Sequence, residues 1–333
     1  MKIGVVGYYG HGNFGDEWML ASMRALAPQI EFVPIVWHEG KWEFPSTDLD
    51  ALIIGGGNIL IPIPAVASSY FNPIFLEMNK PIIVWGVDFC LTHGYLYEGL
   101  EAINSFLAHP SVLGIWLRSP IDYTIMPFLF WSEVVEKTHQ CWNICYAYPV
   151  APPTDWNKEA ALVALGSRLQ GAWDKETTRK LEGNLRNLGY SEISYIILGW
   201  DRIGEHDWAF TKSVTEKAHI WRPSSVEETL AIMAQYDMVI SCKLHGVIAA
   251  ALLRKRAKVL SGDNKFLSLC LAIPNLSVED FIFCYESGRW VIREFEKGDY
   301  CSVAPSVVEH TKSTFNQALW LINQRLTAAA GSS

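Results

Sequence analysis

The chain has 333 residues, 50% hydrophobic and 19% charged, with a formal net charge of −8. That length and apolar content suit two α/β domains or one large one, and the acidic balance excludes general nucleic-acid binding, which needs a basic excess. The cysteines at 90, 141, 145, 242, 270, 284 and 301 lack the spacing of a disulfide framework. Cys141 and Cys145 have no second pair to complete a zinc set. Met1 leads at once into a strand-like run and no apolar run reaches spanning length, so a cytoplasmic protein of a reducing compartment is expected.

Short apolar runs alternate with longer amphipathic ones, the pattern of parallel sheets with crossover helices. In the first half the pattern predicts strands at 2–7, 31–37, 51–54, 81–85 and 112–117, with helices at 17–26, 67–78 and 96–108. The stretch 145–155 is proline-rich and aperiodic and reads as a linker. Beyond it come strands at 160–165, 193–198, 238–241 and 257–260, helices at 175–188, 226–234, 245–253 and 266–272, and a long closing helix at 306–326. The tail 327–333 reads as disordered. The fold class is therefore α/β, with two doubly wound Rossmann-like domains, 1–147 and 148–333, the closing helix in the second, and a central cleft between them.

The densest cluster of unusual residues follows the first strand: Gly7, Gly10, Gly12, Asn13, Gly15, Asp16 and Glu17. Gly10, Gly12 and Gly15 match a dinucleotide-binding pattern, with Glu39 at a tolerable distance. A pyrophosphate would then occupy the helix N-terminus, but Asp16 and Glu17 stand there, and carboxylates suit hydroxyl groups or a cation better. Capping explains Asp16 alone. It leaves Asn13, the glycines and Glu17 unexplained.

A second cluster, Ser241 to Gly246, joins the strand at 238–241 to an alanine-rich helix. Lys243 and His245 there can converge on an anion with help from helix N–H groups, and His245 can move protons near neutral pH. A hydrogen-bonded corner histidine beside a solvated lysine explains the same residues equally well. Arg118, Arg168 and Lys265 also stand at strand ends. Singly each reads as a solvated or paired cation; facing one cleft they would hold a small polyanion. Gly55, Gly56, Gly57 and Asn58 form a third strand-end cluster, a tight turn or a close approach to ligand, and Asp88 ends the next strand. Gly204, Glu205, His206 and Asp207 include metal-capable side chains but read as a solvated loop, and no residue is assigned to a metal.

Taken in order, these residues resemble the polysaccharide pyruvyl transferase family. The likeness rests on Gly7 to Glu17, Gly55 to Gly57, Arg118, Ser167 with Arg168, Lys243 to Gly246, and Lys265, spread over about residues 1–275. It implies a GT-B-like pair of domains and transfer of the pyruvyl group of phosphoenolpyruvate to two sugar hydroxyls as a ketal, in cell-surface polysaccharide biosynthesis. It further implies donor contacts from Arg168, Lys243, Leu244, His245, Gly246 and Lys265 in the carboxy-terminal domain, and from Arg118 in the amino-terminal one. Acceptor contacts would come from Gly12, Asn13, Gly15, Asp16, Gly56, Gly57 and Asn58. His245 is the candidate general acid or phosphate contact, and Asp16 or Glu17 would orient or deprotonate an acceptor hydroxyl. Two departures stand out: Lys243 where the family usually has arginine, losing the planar two-pronged grip, and no Asp-Pro step near the linker.

Phosphoenolpyruvate would be a co-substrate, with no resident cofactor and the question of a divalent metal open. The acceptor would be a nucleotide-linked, lipid-linked or oligosaccharide sugar. The apolar stretch 124–131 permits docking at the inner face of a membrane without requiring it. Rival readings are a GT-B-like glycosyltransferase using a nucleotide sugar and a non-catalytic sugar- or nucleotide-binding relative; a nicotinamide oxidoreductase ranks last.

Overall fold

The computed structural model describes residues 1–45, 48–89, 97–216, 218–261, 266–286 and 289–331. The chain divides into two compact units. The first comprises Met1–Gly10, Met19–Tyr148 and the stretch from Ser306 onward; the second comprises His11–Trp18 and Pro149–Pro305.

The first unit is built on strands β1 (Lys2–Val6), β2 (Glu31–His38), β3 (Lys41–Glu43), β4 (Ala51–Leu60), β5 (Ile82–Phe89), β6 (Val112–Leu117) and β7 (Thr138–Gln140), in the order β3-β2-β1-β4-β5-β6-β7. All pairs are parallel except β2 with β3. β5 is buried along its whole length, as a strand covered on both faces must be. Around the sheet run α1 (Phe14–Leu26, counted here from Met19), α2 (Pro64–Tyr70), α3 (Pro73–Glu77), α4 (Tyr97–Ala108), α5 (Pro120–Ile125) and α6 (Ser132–Glu136). The single helix expected at 67–78 is two, because Pro73 cannot continue a helix and Asn72 caps a new one through the amide of Ile74. The apolar stretch 124–131 divides: Met126 and Phe130 are buried, while Phe128 is 83% and Trp131 45% exposed. No described helix is long and apolar enough to cross a membrane.

The second unit holds β8 (Asn157–Ala164), α7 (Lys175–Asn187), β9 (Glu192–Ile196), α8 (Asp201–Val214), β10 (His219–Trp221), α9 (Val226–Ala234), β11 (Tyr236–Ser241), α10 (Leu244–Leu252), β12 (Arg256–Val259) and α11 (Leu269–Ala272). A hairpin of β13 (Phe283–Glu286) and β14 (Arg289–Ile292) follows. The five-stranded sheet is parallel in the order β10-β9-β8-β11-β12, so strand order reverses between β8 and β11.

Two expectations about domain membership give way. The closing helix, α12 (Pro305–Ala330), belongs to the first unit and not the second. Phe315, 1% exposed, packs edge-on to Trp85 of β5 at 5.3 Å and meets Phe32 of β2 at 6.3 Å. The helix also continues through the alanines at 328–330, where the tail was expected to be disordered, as alanine's helix propensity allows. Conversely His11–Trp18 belongs to the second unit. Phe315→Ala is expected to cost about 3–5 kcal/mol of stability. A denaturant melt checks this; an unchanged midpoint would mean that α12 lends the first unit no core.

Candidate functional site

In open parallel sheets ligands bind beyond the carboxyl ends of the strands, where strand order reverses. In the second unit that point lies between the loop after β8, carrying Ser167 and Arg168, and the turn after β11, carrying Lys243 to Gly246. Ser241 locks the latter turn: its hydroxyl donates to the Lys243 carbonyl at 2.9 Å and accepts from the Lys243 amide at 3.0 Å. Lys243 is the N-cap of α10 and its side chain makes no capping bond. The Gly246 amide closes this first turn by donating to the Lys243 carbonyl at 3.1 Å, and the positive end of α10 stands where an anion would meet it.

The glycine-rich segment joins this point. Asn13 forms an antiparallel bridge with Gly199, and the Trp200 amide donates to the Gly12 carbonyl at 2.7 Å. Asn13 Oδ1 accepts from the Gly15 amide at 3.1 Å, and Glu17 Oε1 accepts from the Gly12 amide at 3.3 Å. Asp16 and Glu17 lie in the first turn of α1, which begins at Phe14. A Cβ on Gly15 would stand 2.0 Å from Nδ1 of His245, so only glycine lets the imidazole lie against this backbone. Trp18 meets the same ring edge-on at 6.4 Å. Gly12, Asn13, Gly15, Asp16, Glu17, Lys243, Leu244, His245 and Gly246 therefore gather in one unit, although the first five come from the far amino-terminal end of the chain.

Arg168 is exposed, with its guanidinium 5.8 Å from the Phe266 ring. Lys265 lies outside the described residues. Lys243 is not solvated: its ammonium donates to the Leu198 carbonyl at 3.0 Å and pairs with Asp207. Asp207, in the stretch read as a solvated loop, lies on α8 and is 3% exposed. Its Oδ1 also accepts from the Ser167 amide at 2.8 Å and hydroxyl at 2.9 Å. The signal that could have found it is the buried stripe of Gly204, Asp207, Phe210, Thr211 and Val214, spaced as one helix face.

The remaining expected contacts lie in the first unit. Gly56, Gly57 and Asn58 are inside β4, extended where a turn was one reading, with positive φ of 85° and 102° at the two glycines. Tyr9, fully buried, donates its hydroxyl to the Gly55 carbonyl of β4 at 2.7 Å. Arg118 is buried and holds Asp88 Oδ2 through Nε at 2.6 Å and Nη2 at 2.5 Å, with Asn58 Oδ1 3.4 Å from Nη2. It does not share a unit with Arg168, and Asp88 occupies its charge. Beside it, burial and then the Asp88 charge push the Asp122 carboxyl up to about 7. Among the described residues no three His, Cys, Asp or Glu side chains converge as a metal would need.

Two parallel α/β units, each with a strand-order reversal at its first strand, make this a GT-B-like pair of Rossmann-like folds. Solved structures with that fold include S. aureus MnaA bound to UDP (9% identity, TM-score 0.54, 83% of each chain covered). Another is the UDP-GlcNAc 2-epimerase of Methanocaldococcus jannaschii (10% identity, TM-score 0.51, covering 96% of this chain and all of that one). A third is Anabaena Alr3699/HepE in complex with UDP (11% identity, TM-score 0.50, both chains covered in full). Residues 186–264 match the family model described as polysaccharide pyruvyl transferase. The matched stretch runs from the end of α7 past β12 and contains Asp207 and the turn from Lys243 to Gly246. Among curated proteins none matches.

Proposed function

We propose that the protein transfers the pyruvyl group of phosphoenolpyruvate to a pair of sugar hydroxyls, with the donor at the strand-order reversal of the second unit. The observation that carries this reading is the turn from Lys243 to Gly246 at the head of α10, inside the matched stretch and across the reversal point from the loop that carries Arg168. Arg168 and the α10 N–H groups suit the phosphate and carboxylate of the donor. In the reaction a proton is added to the methylene carbon while one hydroxyl bonds to the central carbon and gives up its own proton. Inorganic phosphate then leaves with its bonding pair, and the second hydroxyl closes the ketal and loses its proton. His245 supplies the first proton or holds the phosphate, and Asp16 or Glu17 orients the acceptor from the first turn of α1. Donor chemistry of this kind needs no resident cofactor.

A sugar linked to a nucleoside diphosphate is the acceptor class that the UDP-bound structures of this fold favour. The same structures support the second reading, glycosyl transfer from a nucleotide sugar. Thermal melts separate the two. Phosphoenolpyruvate at about a hundred times its dissociation constant should add roughly 2.7 kcal/mol of stability, and Arg168→Ala should abolish that gain. Stabilisation by UDP with no response to phosphoenolpyruvate would overturn the pyruvyl reading in favour of the second.

A further inference from the structure

Asp207 is a buried acid to which the proposed chemistry gives no part. Its Oδ1 takes both the amide and the hydroxyl of Ser167, and its Oδ2 pairs with the ammonium of Lys243. Ser167 directly precedes Arg168, and Lys243 stands two residues before His245. One carboxylate on α8 therefore ties the loop after β8 to the turn after β11, across the reversal point of the sheet. Lys243 gives a further donor to the Leu198 carbonyl, two residues past the end of β9. An ammonium has three donors. With two spent and its charge offset by Asp207, Lys243 has one N–H left for any ligand.

We propose that Asp207 is a positioning residue for the anion site, and that Lys243 serves as its strut and not as an independent ligand cation. The proposal rests on reading the reversal point as the phosphoenolpyruvate site. Both loops are held before a ligand arrives, so the spacing of Arg168 from His245 is fixed in advance and binding orders little further chain. It also gives a reason for lysine at this position. A compact point charge on a flexible stem can reach the Asp207 carboxylate and the Leu198 carbonyl together, whereas a planar fork is shaped for two parallel bonds to a ligand.

The test compares Asp207→Asn, Lys243→Met and their double variant with Asp237→Asn. Asp237 is as deeply buried, taking bonds from Trp156, Tyr190, Tyr300 and Arg256, but it stands at the opposite, amino end of β11. Amide exchange in the unliganded protein should rise together over 166–169 and 242–246 in Asp207→Asn and in Lys243→Met. Their dissociation constants for phosphoenolpyruvate should rise about tenfold or more. The double variant should be no worse than the worse single one, because both remove the same tie. Asp237→Asn should lower the melting temperature yet leave the dissociation constant within about twofold, as a distant site does. Losses that multiply in the double variant would show Lys243 meeting the ligand on its own and overturn the proposal, as would unchanged exchange in Asp207→Asn. If the wild-type protein takes up no phosphoenolpyruvate, the functional reading fails, and the exchange result alone upholds or overturns the tie.

Discussion

Gly15→Ala is expected to lower pyruvyl transfer about 100-fold or more, the scale of losing a positioned general acid. The new methyl carbon would fall 2.0 Å from Nδ1, 2.6 Å from Cε1 and 2.7 Å from Cγ of His245. No bonded geometry tolerates that, so the imidazole must turn away or the start of α1 must lift. Trp18 stands against the ring on one side, which restricts the rotation. The variant thus displaces His245 without altering its chemistry, and it should behave like His245→Ala. Which constant moves discriminates between the two roles of the histidine. A fall in turnover with donor affinity kept marks the proton donor; a raised dissociation constant marks the phosphate contact. Normal turnover and normal affinity in Gly15→Ala would mean that His245 has no part in the site.

The second large effect lies in the first unit and concerns stability against pH. Asp122 is 8% exposed, its Oδ2 accepts from the Phe89 amide at 2.9 Å, and its carboxyl is pushed up to about 7 by burial and by Asp88. Its folded pKa lies above its ordinary value, so the native state binds the proton more tightly than the unfolded chain. The associated stability is complete below about pH 4 and is lost as pH rises through about 7. The gap from the ordinary 3.8 to about 7 corresponds to roughly 4 kcal/mol at most. Asp122→Asn keeps an acceptor for Phe89 and removes the titration. It should be the more stable protein at pH 8, by about 2–4 kcal/mol, with the advantage vanishing near pH 4. His139, whose pKa burial lowers, acts in the opposite sense below its ordinary 6.5, and Lys255, lowered to about 8, acts above that pH. Both contribute equally to the two proteins, so the difference between their denaturation profiles isolates Asp122. A difference that stays flat from pH 4 to 8 would refute the assignment.

Much of this architecture is visible in the chain itself, because buried parallel strands need unbroken apolar runs and each such run ends where its chemistry begins. β1, β4, β5, β8 and β11 are all legible in that way, and so are the glycines, Arg168 and the turn from Lys243 to Gly246 that follow them. Other features depend on partners far away in sequence. Periodicity marks 306–326 as a helix, but only the contact of Phe315 with Trp85 tells which sheet it covers. The segment from Gly12 to Trp18 follows β1, so sequence order assigns it to the first unit; its bonds to Gly199 and Trp200 assign it to the second. Asp207 hides in a polar stretch where only Phe210 and Val214 of the five buried residues on its face are apolar, so the hydrophobic signal is thin. Arg118 looks like a free cation at a strand end, since the carboxylate that pairs with it lies thirty residues earlier, on the neighbouring strand.

The most direct test of the central claim is amide exchange with and without saturating phosphoenolpyruvate, read peptide by peptide. The donor should protect 165–170 and 242–247 in the second unit and leave 55–60 and 116–120 in the first unchanged. Protection of the first-unit segments alone, or no protection anywhere at a concentration where UDP protects the second unit, would contradict it.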